Sequence, residues 1–254
     1  EALPNPADVS VSVRQITGSG SCSHCGDEVT TSASTIKVLI LVALAQAADD
    51  GRIDLEQRVA VNADQRSGGS GILNELATPI ELSFADHAHL MIAISDNTAS
   101  NVLIDAVGME AIAETATGLG LTGTALQRRF LGRLPDPGTP ENLTTANDLT
   151  ALLVAIATGT AASPDRCAWM RERLAGQHYL NRLPRFLPND VTFAGKSGSL
   201  EGFDHDSGLL SGPGGTLAVA VLHRNVRDPY AADVMIGTIG AAAIADAGLT
   251  RVPA

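Results

Sequence analysis

Two lysines stand against fifteen arginines in this chain, and each lysine keeps company with serine: Ser34-Thr35-Ile36-Lys37 and Lys196-Ser197-Gly198. Where a surface cation suffices the sequence uses Arg, so the two lysines mark places where Arg cannot substitute. A guanidinium is always charged, whereas an ammonium gives up its proton when desolvated and then serves as a base. The pairing points to serine chemistry with a lysine partner; a surface lysine beside a serine by chance is the plain alternative for either motif alone. Ser34 and Lys37 are three apart at an expected helix start, which puts them on one face, with the serine at the positive helix end and its exposed N–H groups. Lys37 runs directly into Val38-Leu39-Ile40-Leu41. Entry into the apolar interior would lower its proton affinity and make it a base for a Ser34 nucleophile. The opposing reading makes Ser34 a helix cap and lets Lys37 snorkel to solvent.

A third cluster, Ser95-Asp96-Asn97, falls where a helix opened by Ser83-Phe84-Ala85-Asp86 should end. That opening is a capping box with Asp for Glu. Taken alone, the cluster is a helix end followed by the next N-cap. With the lysine motifs it becomes specific: Ser95 can relay a proton, Asn97 can bind an amide, and Asp96 can fix the turn from behind.

The elements that must bring these clusters together follow from pattern. Val9-Ser10-Val11-Ser12-Val13 alternates with period two, Gly18-Ser19-Gly20 breaks it, and Glu28-Val29-Thr30 resumes it. From Ser34 to about Arg182 the chain reads as mostly helical, with Leu90, Met91 and Ile94 on one face and a second helix after Thr144-Thr145 lined by Leu152, Leu153 and Ile156. Strands return at Val191-Thr192-Phe193-Ala194, at Ser207 to Leu210 and at Leu217 to Leu222, the last two divided by Gly212-Pro213-Gly214-Gly215. An apolar helix closes the chain from about Pro229 to Ala247. The expected fold is α/β, more narrowly an α+β single domain over 1–254. Its sheet lobe takes about 8–33 and 190–250, and its helical lobe about 34–189. A chain that leaves a sheet and returns to it lets the two lysines meet in a cleft between lobes.

Composition bounds the rest. The 254 residues suffice for a sizeable core, 44% are hydrophobic and only 3% aromatic, so small aliphatic side chains must build it. The net charge of -11, with no basic run longer than Arg128-Arg129, repels phosphate backbones and argues against nucleic acid as a partner. The longest apolar run, Val38 to Ala48, falls short of the roughly 20 residues needed to span a bilayer. No basic segment followed by an apolar one opens the chain, and Glu1-Ala2-Leu3-Pro4 reads as a trimmed, flexible lead. Cys22-Ser23-His24-Cys25 lacks the further ligands that zinc needs, so no metal site is expected; a local disulfide or a reduced pair in a hairpin loop fits it better. Cys167, near Trp169, reads as a helix-face core residue. His87 and His89 are not spaced as a metal pair and read as solvated or capping; Asp204-His205-Asp206 reads as structural, in strand pairing.

S-x-x-K, S-D-N and K-[TS]-G, in that order, resemble the motifs of the serine penicillin-recognising enzymes, above all the class A β-lactamases. Gly69-Ser70-Gly71-Ile72-Leu73, the segment from Met91 to Ala99 and Asn101-Val102-Leu103-Ile104-Asp105 extend the likeness, which runs from about Val9 to Gly248. The resemblance implies an antiparallel sheet flanked by helices plus an all-helical lobe, and acylation of Ser34 with Lys37 as base or part of the proton network. It implies that Ser95 passes a proton to the leaving nitrogen and that Asn97 holds the substrate's side-chain amide. Lys196 and Ser197, in the Lys196-Ser197-Gly198 motif, would bind a substrate carboxylate, and the N–H groups of Ser34 and Ser199 would form the oxyanion hole. It further implies a small β-lactam or peptide-like amide as substrate, no cofactor, a monomer, and export with the leader removed.

One departure stands out. The family's E-x-x-L-N stretch is absent between Arg128 and Thr145, where Glu141 is the single glutamate. Glu141 is therefore the candidate for activating the deacylating water, against the alternative of a surface carboxylate near a helix N-terminus. Three functions follow: a β-lactam-opening serine hydrolase; a Ser-Lys amidase, peptidase or acyltransferase on another amide; and a penicillin-binding sensor that stays acylated.

Overall fold

The computed structural model describes residues 5–250, so the expected lead Glu1-Ala2-Leu3-Pro4 lies outside the described residues. The chain opens with β1 (Val9–Gln15), β2 (Ser21–His24) and the two-residue β3 (Thr30–Thr31), then enters α1 (Lys37–Asp49). A small hairpin of β4 (Arg58–Ala60) and β5 (Glu81–Ser83) precedes α2 (Phe84–Ala93), α3 (Asn97–Val107) and α4 (Met109–Gly118). A long irregular stretch ends in β6 (Leu143–Thr144), followed by α5 (Ala146–Thr158) and α6 (Pro164–Ala175). The chain finishes with β7 (Thr192–Leu200), β8 (Phe203–Gly212), β9 (Gly215–Arg224) and α7 (Pro229–Asp246). The five-stranded sheet runs β2-β1-β9-β8-β7 and every pairing in it is antiparallel.

Period-two alternation explains how this sheet carries a layer on each face. Leu217, Val219 and Val221 of β9 join Val9 of β1 and Leu210 of β8 in a core with Ile236 and Ile244 of α7. The intervening Ala220 and Leu222 meet Ala146 and Leu149 of α5 on the opposite face. The serines that interrupt the valines of β1 point that way too: Ser12 Oγ lies 2.8 Å from Thr150 Oγ1, a buried hydroxyl pair. The helical side is built around α1, whose residues Val38 to Leu44 are all buried. Each fully buried Leu or Ile there contributes about 1.5–3 kcal/mol relative to exposure. An almost entirely apolar helix can only be central, and α2, α3, α4, α5 and α6 pack around it.

Several expectations shift. The second strand of the opening is β2, an edge strand that contains Cys22, with Cys25 in the bend just beyond it; both thiols are free and exposed. Glu28-Val29-Thr30 supplies only β3, which leaves the main sheet to pair with β6. The helical lobe is less uniform than its period suggests, because residues 119–142 form a glycine- and proline-containing loop. His87 is neither solvated nor capping: it is buried on the face of α2, and both ring nitrogens lack partners. Other readings hold, including the Ser83–Asp86 capping box and the buried Cys167. No helix among the described residues is long and apolar enough to cross a membrane.

Candidate active site

Ser34 lies ahead of α1, in a turn of i, i+3 hydrogen bonds: Thr35 N–H to Ser32 O, then Lys37 N–H to Ser34 O. It is therefore not the helix cap, a place taken by Ile36 without any side-chain bond. The turn is forced by Ala33, which adopts φ 45, a left-handed conformation that L-residues avoid. Ser95 has the same peculiarity, with φ 58, immediately after α2. Two of the four non-glycine residues with positive φ among the described residues thus flank this site, where the surroundings hold the backbone in place.

Lys37 is completely buried, which removes the snorkelling alternative. Its Nζ donates to Ser95 O at 2.7 Å and to Asn97 Oδ1 at 2.7 Å, and lies 3.1 Å from Ser95 Oγ. Burial holds its proton affinity well below the ordinary lysine range, helped by the charge of Lys196 and opposed by Asp96. In the neutral amine two hydrogens satisfy the carbonyl and the amide oxygen, and the lone pair receives the Ser95 hydroxyl proton. No hydrogen bond joins Lys37 to Ser34 Oγ among the described residues; the amine meets Ser95 and Asn97 instead.

Asp96 fixes this turn. One carboxylate oxygen caps α3 through Ala99 N–H at 2.9 Å, and the other accepts from Ile72 N–H at 2.7 Å and Leu73 N–H at 2.9 Å. Asn97 is half committed: Oδ1 faces Lys37 and Nδ2 donates to Gly68 O at 2.8 Å, which leaves one amide hydrogen for a ligand.

Across the cleft stands β7, an edge strand with one row of backbone groups free of strand partners. Gly198 comes so close to the nucleophile that a Cβ there would lie 2.8 Å from Ser34 N, so only glycine lets the two backbones meet. Lys196 is as fully buried as Lys37 and donates to Ser197 O at 2.8 Å. Desolvation brings its pKa down to about 7, with Asp206 resisting the fall and Arg182 adding to it. Asp206 is pushed up to about 7 by burial, against Arg182, and accepts from Leu183 N–H at 3.0 Å. His205 is neutral and structural: Nε2 donates to Thr31 O at 2.9 Å while Nδ1 accepts from His223 N–H at 3.1 Å.

Arg182 is the principal residue that sequence reasoning missed. Its guanidinium donates to Gly198 O at 2.9 Å, His205 O at 2.8 Å and Ser199 Oγ at 2.7 Å, and pairs with Asp204 and Asp233. It braces the end of β7 that faces Ser34. One arginine among fifteen carries no sequence signal for that role.

Ser34, Ser70 and Ser199 stand where two hollows join. One, of about 360 Å³, is walled by Phe130, Leu131, Leu134, Leu200, Arg128 and Glu141. The other, of about 220 Å³, is walled by Ser95, Tyr179, Arg182, Ser197 and Gly198. The first is mixed apolar and polar; the second holds hydroxyls beside buried cations. Every sequence-predicted residue is thus in or directly behind one cleft. Glu141 reaches it too, but not at a helix N-terminus: both its oxygens lie 2.7 Å from Arg128 Nη2, and Oε1 also accepts from Asn142 N–H at 2.6 Å.

The model of the beta-lactamase enzyme family matches residues 2–247. Among solved structures, a β-lactamase from Sphaerobacter thermophilus superposes with TM-score 0.92 at 35% identity, covering 97% of this chain and 93% of the other. PBP-A, solved also as a point mutant in an acyl-enzyme complex with penicillin G, superposes with TM-score 0.82 at 28% identity over 92% of this chain and 89% of its own. Beta-lactamase AER-1 of Aeromonas hydrophila is 27% identical over 186 residues, 70% of this chain, and the match spans 59% of that relative's length. With a profile matched almost end to end and the fold shared throughout, the chain belongs to the beta-lactamase enzyme family.

Proposed function

We propose that this protein is a serine hydrolase that opens the amide of a β-lactam, or of a similar peptide-like amide, through an acyl-enzyme on Ser34. The observation that carries the reading is a fully buried lysine whose amine is bonded to Ser95 in the same cleft as a half-exposed serine. Ser34 Oγ attacks the carbonyl carbon and its proton passes to the Lys37–Ser95 pair. The carbon–nitrogen bond then breaks as Ser95 returns a proton to the leaving nitrogen. The Ser34 N–H, which has no partner among the described residues, and the Ser199 N–H of the edge strand stabilise the oxyanion. Removing such a donor costs about 2.7–4 kcal/mol. Lys196 and the Ser197 hydroxyl receive a carboxylate in the smaller hollow, and the remaining Asn97 hydrogen binds the acyl amide. Glu141 is a brace in this scheme, because Arg128 occupies both of its oxygens. One chain completes the cleft, which supports a monomer.

The test is intact-mass spectrometry after mixing with a penicillin, alongside absorbance of the lactam ring. An adduct of the penicillin's mass and loss of ring absorbance are expected, with both abolished in Ser34→Ala. Ring opening that survives Ser34→Ala would overturn the assignment.

A further inference from the structure

Every donor of Arg182 is already committed. A guanidinium carries five N–H groups in a fixed fork. Five acceptors surround this one: Asp233 Oδ1 at Nε, Gly198 O and His205 O at Nη1, and Ser199 Oγ and Asp204 Oδ1 at Nη2. The side chain is buried and lines the smaller hollow, yet no hydrogen remains on it for a substrate carboxylate. The group it serves must belong to the protein.

Nη1 bridges the carbonyls of two residues that face each other, since Gly198 of β7 pairs with His205 of β8. One nitrogen reaches both only where Gly198 C=O points inward, toward β8. The Gly198–Ser199 peptide is trans, so its N–H points the opposite way, out of the open edge of β7 and into the cleft. Gly198 C=O and Ser199 N–H are thus the two ends of one amide. A cation at the oxygen draws electron density along the conjugated bond and leaves the hydrogen at the far end more positive, as in any chain of hydrogen bonds that polarise one another. A bond with one charged member is roughly twice as strong as a neutral one, so the pull is greater than a second strand would exert.

The fork is held in register from two elements, by Asp204 on β8 and by Asp233 on α7, which Asn181 Nδ2 also grips. Across the larger hollow the wall is bare main chain, where Gly132 at φ 71 stands so near that a Cβ would lie 2.3 Å from Gly68 O. Neither wall has room to follow a carbonyl displaced from the oxyanion hole.

We infer that Arg182 is a positioning residue for the oxyanion hole: its guanidinium, bonded to Gly198 O, aims the Ser199 N–H at the cleft and strengthens it as a donor. The inference rests on the acylation of Ser34 and the oxyanion donors proposed above. The substrate carboxylate is left to Lys196 and Ser197, so loss of Arg182 is felt at the reacting carbonyl whether or not the substrate carries a free acid.

The test compares penicillin G with its methyl ester through two readouts. One is the acylation rate by rapid-mixing mass spectrometry; the other is the ester carbonyl stretch of the acyl-enzyme by infrared difference spectroscopy, which falls as the donors to that oxygen strengthen. Arg182→Gln is combined with Asp204→Asn so that the buried Asp204 is not left unpaired. This double variant is expected to slow acylation about tenfold for acid and ester alike, a part of the loss that follows removal of a whole donor, and to raise the carbonyl frequency. Asp233→Asn keeps an acceptor for Nε but removes one of the two charges that oppose the guanidinium, so the frequency is expected to fall. Should the double variant not fold, Asp233→Asn still decides: an unmoved or raised frequency there would overturn the inference. A folded double variant slowed only toward the free acid would overturn it too and make Arg182 a carboxylate receptor, as would one whose carbonyl frequency stays at the wild-type value. Absence of any adduct on wild-type Ser34 would instead remove the acylation reading itself.

Discussion

Lys37 and Lys196 are equally hidden from solvent, yet their surroundings assign them opposite work. Lys37 has only neutral groups in hydrogen-bond contact, plus the face of Phe130, and its proton affinity falls well below the ordinary range through burial and through Lys196. Lys196 has Asp206 working against desolvation and settles at about 7. The charge of Lys196 weakens the hold of Lys37 on its proton and Arg182 that of Lys196, while Asp96 opposes the first fall and Asp206 the second. On the roles proposed above, a base and a carboxylate receptor come from the same side chain in two settings.

The strongest way to break this division is Lys37→Arg. Arg cannot lose its proton, so acylation by a penicillin, followed by mass or ring absorbance, should slow by about 10²–10⁴-fold, the usual span for loss of a general base. An acylation rate within threefold of wild type would show that Lys37 merely fills space. Next is the receptor: Asp206→Asn removes the one group that holds the Lys196 proton on. For a β-lactam carrying a free carboxylate, KM at pH 7 should rise about tenfold with little change in kcat, as expected when a charge-assisted contact is weakened.

The sign of the pH effect follows from the same pair. If Lys196 receives the carboxylate as a cation, as proposed, binding is complete below its pKa of about 7 and is lost as pH rises through it. The alkaline limb of kcat/KM should therefore lie near neutrality for a carboxylate substrate, vanish for its methyl ester, and move to lower pH in Asp206→Asn. A limb shared by acid and ester would place it elsewhere.

The smallest effect tests burial itself. His87 is buried with no partner for either nitrogen, and desolvation brings its pKa to about 4 despite Asp96 and Asp86. Its folded pKa is depressed below the unfolded value, so its stability contribution is fully present above about 6.5 and lost as pH falls toward 4. His87→Leu should raise stability by about 1 kcal/mol at pH 7 by removing unsatisfied nitrogens, and should flatten the melting temperature between pH 6.5 and 4. An unchanged slope would refute this account.

Sequence made the catalytic cluster readable because each piece is local: Ser34 with Lys37, Ser95 with Asn97, Lys196 with Ser197. The capping box at Ser83 and the alternation of β1 were equally readable, since neighbours within a turn or a pleat determine both. What escaped depends on distant partners. Phe130 looks like any core aromatic until Asn101, 29 residues away, fixes it over Lys37. Arg182 gains its role only from Gly198, His205 and Ser199 across two strands. His87 departs from expectation because two histidines two apart on a helix do not announce which face α3 and α6 will cover.

The meeting of Gly132 with Gly68 and Gly69 has a consequence for how this cleft can diversify. There the loop carrying Phe130 and the segment anchored by Asp96 touch through bare main chain, with a Cβ on Gly69 only 2.7 Å from Gly132 Cα. The larger hollow is therefore gauged by a seam one atom thick, and a single methyl at position 132 would act as a shim. A change at that seam would alter the bore of the cleft and, because Gly68 O accepts from Asn97 Nδ2, would shift Asn97 with it.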